Sequence, residues 1–381
     1  MRKVSYNLLQ ITIKKEGLKL LVHICCSIDS HFFLQKLALL YPEKELIGYF
    51  YDPNIHPYSE YRLRLMDVQR SCRKLGIKLL EGEYDYEGWI EAVRGLENEP
   101  EKGRRCSICF DNRLANTALK ALEIGENEIT TTLLTSPKKS IEQLRQNSDE
   151  IEKKYGIRVV TPDFRKGGGT SEQFAMAKKD MLYHQNYCGC LFALNAQRES
   201  QHRLKDELMS PVTKQVLPAS IEDRICLYER VNRYEKDGLK FRLRREKFLN
   251  YRVLRAFVKD AKKEVIPSYF LFYSKLSREF TKGKIEYIED EIGYFNREDI
   301  LLLSVKKLNS LAETEYENIC DMMKNPLKFK DEIKVRFSLS NTVLPTLFAI
   351  VVLDEIKIDR YEIYLNSKVY EDVRENLVKI G

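Results

Sequence analysis

Short apolar runs alternate with amphipathic stretches through the first 200 or so residues, and this alternation most constrains the fold. Residues 18–24 (LKLLVHI) form an apolar run of the kind a strand buried on both faces requires. Residues 45–52 (ELIGYFYD) form a second, and SHFFLQKLALL between them has helical apolar spacing. Asp52-Pro53-Asn54 marks a turn, and residues 58–75 predict a charged amphipathic helix ending at Gly76. Further strands are expected at Ile77, Glu128 and Ile157, with helices after Cys106, Ser140 and Ser171. Strand and helix in alternation predict an α/β fold, a parallel sheet flanked by helices.

The remainder reads differently. Residues 220–257 predict a helix of heavy basic content, followed by strand-like runs near Lys284, Glu298, Asp331 and Phe348, an α+β module. All five histidines precede residue 203. These shifts put a boundary near residue 200, giving domains 1–200 and 201–381, and the length of 381 residues suits two domains. No run of 18 apolar residues occurs, which excludes a membrane-spanning helix of ordinary hydropathy. The first 17 residues lack the apolar core and cleavage site of a secretory signal, so a cytoplasmic location is expected.

Nine cysteines, an odd number in such a chain, argue against a secreted disulfide framework. Six form three close pairs, Cys25-Cys26, Cys106-x-x-Cys109 and Cys188-Gly189-Cys190; Cys72, Cys226 and Cys320 stand alone, as small buried hydrophobes do. The first pair follows the first strand, where open parallel sheets bind ligands. Asp29 beside it is either a helix N-cap or a metal ligand or acid. On a helix, Cys106 and Cys109 share one face. Arg104 and Arg105 favour their thiolates, and the spacing suits zinc, an iron–sulfur cluster or a dithiol. Cys188 and Cys190 can bridge if Gly189 bends the chain, and so small a ring would be a labile, redox-active disulfide; two more metal ligands is the other reading.

Six blocks now stand in order: H-x-C-C after the first strand, YDPNIHPYSEY (51–61), RRCSICFDNRL (104–114), TTTLLTSP (130–137), PDFRKGG (162–168) and YCGC (187–190). Together they resemble the cobalamin-independent epoxyqueuosine reductase family, QueH, over about residues 18–195. The resemblance implies a layer similar to the adenine-nucleotide α-hydrolase (HUP-like) fold. It implies reduction of epoxyqueuosine to queuosine at the wobble position of tRNA, an oxidoreductase step. It implies a [4Fe–4S] cluster held by Cys25, Cys26, Cys106 and Cys109, and a redox-active pair at Cys188 and Cys190. Many members carry a third cysteine where this chain has Asp29, and a carboxylate there can hold an additional iron ion. Beyond about residue 200 the resemblance is silent.

Removing an epoxide oxygen takes two electrons and two protons, which a dithiol supplies as it closes. Catalytic roles are therefore expected of Cys188, Cys190 and Asp29, with His23, Asp29, Tyr51 and His56 as proton donors to consider. Tyr51, Tyr58, His56 and Arg165 are expected on the substrate side, where aromatic rings can stack an RNA base; packing at a helix start is the alternative for the tyrosines. The partners expected are tRNA and an unidentified electron donor.

Net charge says little about tRNA. Residues 201–381 hold 34 Lys and Arg against 30 Asp and Glu, leaving 30 against 27 for the rest, so the total of +7 is spread evenly. Clustering says more: Lys240 to Lys259 holds eight bases and one acid, interleaved with Phe241, Phe248 and Tyr251, either an RNA-tracking stripe or a solvated helix face. Arg62, Arg64, Arg70, Arg73 and Lys74 form a second basic stretch. Two other functions share parts of this pattern. An ATP pyrophosphatase acting on tRNA needs a glycine-rich first loop, whereas this one reads Cys-Cys-Ser-Ile-Asp-Ser. A non-enzymatic zinc module would also use paired cysteines.

Overall fold

The computed structural model describes residues 18–137, 139–209, 213–296, 300–340 and 349–380. The chain divides into two compact units, one ending at Lys205 and one beginning at Asp206. No helix among the described residues is long and apolar enough to cross a membrane. The first 17 residues and the starts of two expected strands, Glu298 and Phe348, lie outside the described residues.

The first unit alternates as expected: β1 (Lys19–Ile24), α1 (Ser27–Leu40), β2 (Glu45–Phe50), α2 (Tyr58–Leu75), β3 (Lys78–Glu81), α3 (Tyr86–Ala92), α4 (Arg104–Glu123), β4 (Glu128–Thr131), α5 (Ile141–Tyr155), β5 (Arg158–Val159), α6 (Gly169–Lys179) and α7 (Leu191–Ser200). The five strands form one parallel sheet in the order β3-β2-β1-β4-β5. This is the parallel sheet flanked by helices that the sequence predicts. The sheet is covered on both faces. Leu20, Val22 and Phe50 pack with Phe33, Leu37 and Val68 on one side, and Leu21, Ile47 and Ile129 with Leu114, Ala118 and Ile151 on the other. After β3 the chain returns to the far side of β1 as β4, so the order reverses between β1 and β4. A crevice opens at the carboxyl ends of these two strands. The turn after β1 holds Cys25 and Cys26, and the 3-10 turn after β4 holds Thr132.

The second unit contains α8 (Ile221–Lys236), β6 (Phe241–Lys259), β7 (Val265–Ile266), β8 (Ser268–Phe270), β9 (Phe280–Glu289), β10 (Ile292–Phe295), β11 (Ile300–Ser304), α9 (Val305–Ala312), α10 (Ile319–Lys324), α11 (Phe329–Ser340), β12 (Ala349–Leu353) and β13 (Arg360–Lys379). One mixed eight-stranded sheet runs β7-β6-β13-β9-β10-β11-β12-β8. Six of its strands share an interior built on Val258, Ile285, Phe295, Leu302, Val351 and Ile363. The outer face of β11 and β12 is covered by α9, α10 and α11, through Leu303, Ile350 and Val352 against Leu308, Met322 and Val335.

Two sequence expectations fail here, each for a nonlocal reason. The basic helix expected over residues 220–257 stops at Lys236, Gly238 turns the chain at φ 64°, and Phe241–Lys259 continues as strand. β13 pairs with nearly the whole length of β6, which supplies the ladder hydrogen bonds a helix would have made internally. The basic residues therefore alternate between two sheet faces, and Arg252 is buried. The strand expected near Asp331 is α11, because Glu332 and Arg336, one turn apart, both point into the core. Glu332 accepts hydrogen bonds from the Tyr269 hydroxyl (2.6 Å), the Phe272 amide (2.7 Å) and Gln215 Nε2 (2.5 Å).

Candidate active site

The turn after β1 builds the first part of the site. Cys26 is the extended residue that starts α1, so Cys25 and Cys26 leave the regular side alternation of the strand. Their Sγ atoms lie 3.9 Å apart, and Cys25 Sγ lies 3.6 Å from Asp29 Oδ2 one turn into α1. Ligand atoms of Cys25, Cys26 and Asp29 all fall within 4.8 Å of one another, the one such set of three or more among the described residues. From β4, Thr132 Oγ1 accepts the Cys25 amide (3.2 Å) and lies 3.4 Å from its sulfur. Asp29 accepts from Gln173 Nε2 at 2.6 Å, and burial pushes its carboxyl up from the ordinary carboxylate range. The hydrogen bond with Cys26, reinforced by burial, raises the Cys25 thiol.

α4 supplies the second part. Cys106 and Cys109 lie on its face toward Arg113, at the i, i+3, i+7 spacing of one helical stripe. Arg113 is buried and pairs with Asp52 (3.1 Å) and Asn54 at the end of β2. Burial raises Asp52 to about 6, although Arg113 opposes the shift.

The YCGC segment forms the third part. Gly189 sits at φ 110°, and a Cβ there would meet Ile55 Cγ1 at 2.9 Å and Arg64 Nη1 at 3.0 Å. Only glycine fits both the turn and the space. Gly189→Ala is expected to lower the stability of the first unit by about 1–2 kcal/mol or more, checked by denaturant unfolding. The carbonyls of Tyr187 and Cys188 accept from Arg64 at 3.0 and 3.1 Å, and the Gly189 carbonyl accepts the His56 amide at 2.8 Å. Arg70 likewise donates to the Asp180 and Met181 carbonyls. Arg64 and Arg70 are thus buried ties from α2 to the segment before the YCGC turn. The basic stretch read on that helix is not a continuous surface stripe, because two of its five members point inward.

All described cysteines are free thiols, Cys188 and Cys190 included. The two thiols of the last pair differ sharply. Lys139 Nζ donates to Cys188 Sγ at 2.8 Å. Burial disfavours the Cys188 thiolate, but Lys139, with Arg113 and Arg64 behind it, outweighs burial and lowers the pKa. Burial, followed by the neighbouring Cys188, pushes Cys190 up to about 12. The two thiols are thus shifted in opposite directions, Cys188 toward its thiolate and Cys190 away from it.

Two adjoining cavities hold these parts. A cavity of about 110 Å³ is lined by Cys25, Cys26, Asp29, Asp52, His184 and Tyr187, among others. A smaller one of about 20 Å³ is lined by Cys106, Cys109, Cys190, Trp89 and Asn54, among others. Glu101, Arg113, Lys139 and Cys188 line both and form their common wall. The smaller space admits a water or an ion, and only the larger has room for a substrate group.

The other residues singled out from the sequence lie outside these walls. Arg165 donates to the carbonyls of Leu133, Leu134 and Lys139, bracing the loop that carries Lys139. His56 stacks on Tyr86 at 4.8 Å, and its carbonyl accepts from the Tyr187 hydroxyl at 2.7 Å. Tyr51 is buried against Tyr49 at 6.0 Å, facing the core. Tyr58 is exposed, stacks on Tyr61 and meets Tyr84 at a tilt of 51°. His23 is fully buried between Thr131 Oγ1 (2.8 Å) and the Tyr51 carbonyl (3.1 Å), and burial lowers it to about 3, so it stays neutral and is no acid. Sequence reasoning missed Asp52, Arg113 and Lys139 as site groups. The i, i+3, i+7 stripe of Cys106, Cys109 and Arg113 was the signal for the second; the other two enter from remote loops.

A parallel α/β layer whose switch-point crevice carries three cysteine pairs, a buried cation and an asymmetric dithiol defines a thiol-rich redox or metal centre. The family model for "Epoxyqueuosine reductase QueH" matches residues 20–196. The chain is 39% identical over 351 residues to the epoxyqueuosine reductase QueH of Helicobacter pylori, covering 88% of this chain and 94% of that one. It is 37% identical over 194 residues to the protein of that name from Acinetobacter baylyi (50% of this chain, 88% of the relative). It is 35% identical over 182 residues to the one from Thermotoga maritima (47% and 92%). This chain belongs to the epoxyqueuosine reductase QueH family, a family of oxidoreductases. The match to the Helicobacter pylori relative extends well into the second unit, since 351 residues exceed the length of the first.

Proposed function

We propose that this chain reduces epoxyqueuosine to queuosine at the wobble position of tRNA, the last step of that modification, in the cytoplasm. The observation that carries the mechanism is the Lys139 ammonium 2.8 Å from Cys188 Sγ, beside Cys190, on the wall between the two cysteine-lined cavities. The donor set fits an iron–sulfur or metal group. Cys25, Cys26, Cys106 and Cys109 offer four thiolates, the complement of a [4Fe–4S] cluster. Asp29, within reach of the first two, suits an additional iron ion. The buried Arg113 balances the negative charge such ligands bring. When bound, the group would supply one-electron transfer and Lewis acidity toward an oxygen.

The chain's own residues account for the rest. With Cys188 in the thiolate form that Lys139 favours, Cys188 and Cys190 give up two electrons and one proton as they close to a disulfide, and the second proton is drawn from solvent. The epoxide loses its oxygen as water and leaves a carbon–carbon double bond, so the exchange balances. A low-potential electron donor then restores the dithiol. Lys139 favours the Cys188 thiolate, and the bonds from Arg64 and His56 fix the turn that carries it. The larger cavity, beside Asp29 and Cys188, has room for the epoxide-bearing ring.

Protein purified without air is expected to be brown, absorbing at about 400 nm, and to convert epoxyqueuosine-containing tRNA to queuosine-containing tRNA with a chemical reductant. A colourless, zinc-loaded protein without that conversion would end the reading. Cys106→Ala is expected to remove most of the visible absorbance and the bound iron, measured by spectroscopy and metal analysis.

A further inference from the structure

The outer face of the β6-β13-β9 portion of the second unit's sheet carries a pattern that the catalytic site does not use. In β13, Tyr361, Ile363 and Leu365 point into the core and are 5% exposed or less, so Glu362, Tyr364 and the other alternate residues point out. The register then builds rows across three strands. Phe257, Tyr364 and Phe280 stand opposite one another as an aromatic row. Lys259, Glu362 and Lys282 form the next row, and Arg360 and Lys284 the one after. On the other side of the aromatic row, Arg255 lies over Phe257 (5.4 Å) and Tyr364 (5.3 Å). The rings of Phe257 and Tyr364 are stacked at 5.1 Å and 10°, and the Tyr364 hydroxyl donates to Glu279. Phe280 is 46% exposed although its neighbours across the sheet offer an apolar interior.

We infer that this face is a binding platform for single-stranded RNA, the tRNA of the proposed reaction, and the inference rests on that reading for the identity of the RNA. A sheet face with exposed aromatic rings stacks unpaired bases whatever their sequence, because every base presents a π-face. Five cations (Arg255, Lys259, Lys282, Lys284, Arg360) ring the row, against Glu362 in their midst, Glu279 at the Tyr364 hydroxyl and Glu286 further along β9, a net positive balance that suits a phosphate backbone. The rings are preordered: the stack of Phe257 on Tyr364 and the Arg255 guanidinium above both leave little freedom to lose on binding. The basic run read from the sequence over Lys240–Lys259 thus contributes only its last part, Arg255 and Lys259, and it does so from a strand.

The test uses the full chain and two RNA probes, a fluorescein-labelled unmodified tRNA transcript and a short labelled single strand, with anisotropy as readout. Phe280→Ala is expected to weaken binding of the single strand about tenfold. Lys282→Glu with Lys284→Glu is expected to weaken both probes and to flatten the salt dependence by about two units. These side chains are exposed, and unchanged circular dichroism and Tm would show that the fold is kept. Unchanged RNA affinity in both variants overturns the platform, including the case in which the face docks a protein instead. Wild-type protein with no RNA affinity at micromolar concentration overturns it as well. Reductase turnover with an unaltered KM in the variants removes the platform and leaves the enzymatic reading standing. Loss of RNA binding in the variants of a chain without reductase activity leaves the platform and removes the enzymatic reading.

Discussion

Cys188→Ser is expected to cut turnover of epoxyqueuosine-containing tRNA about a thousandfold or more, because the hydroxyl is neither a thiolate nor able to close a disulfide. The substitution is nearly isosteric, and the turn is held by the Arg64 and His56 bonds to main-chain atoms, so the fold and the visible absorbance of the bound group should persist. Sustained multiple turnover by the serine variant would remove Cys188 from the chemistry. A companion change separates reactivity from positioning. Lys139→Met leaves the thiol in place but takes away the ammonium 2.8 Å from it. In the wild type, alkylation of Cys188 should persist below the ordinary thiol range, since Lys139 lowers its pKa. In the methionine variant the alkylation midpoint should move upward, because burial then acts without its counterweight. An unmoved midpoint would show that Lys139 does not set the thiolate.

Arg113→Met is expected to cost roughly 3–5 kcal/mol of stability, the loss typical when one member of a buried ion pair is removed. Asp52 would then be a buried carboxylate without its cation. The pH dependence identifies the cause. Asp52 sits at about 6 in the folded chain, above the ordinary value of 3.8. Between those two values the native state binds more protons than the unfolded state, so this group's contribution to stability falls as pH rises from about 4 to 6. Without Arg113 the carboxyl moves higher still, and the damage should be mild at pH 5 and severe at pH 8. Asp52→Asn added to Arg113→Met should restore part of the loss at pH 8. A loss equal at both pH values, with no rescue by asparagine, would assign the cost to packing around α4.

The first unit was readable because its signals are local. The apolar runs of β1 and β2, and the helix Tyr58–Leu75 ending at Gly76, lie where periodicity and the left-handed cap put them. The order of the cysteine-bearing blocks also survives any folding. The second unit was legible only in part. Its strands β9, β11 and β12 fall in the expected runs, but residues 240–259 have the composition of a good helix and become strand through β13, more than 100 positions later. Propensity is a weak prior where a long partner strand is available.

Sequence alone determined that this chain has a parallel α/β unit with three cysteine pairs, two at turns and one on a helix face, and hence the family to which it belongs. Tertiary structure alone decided the surroundings of each of those cysteines. Cys188 and Cys190 are chemically identical along the chain. They differ because Lys139, 49 residues from Cys188, places its ammonium on one sulfur and leaves the other buried among apolar neighbours. Charge and desolvation act through space, and spacing along a chain carries neither.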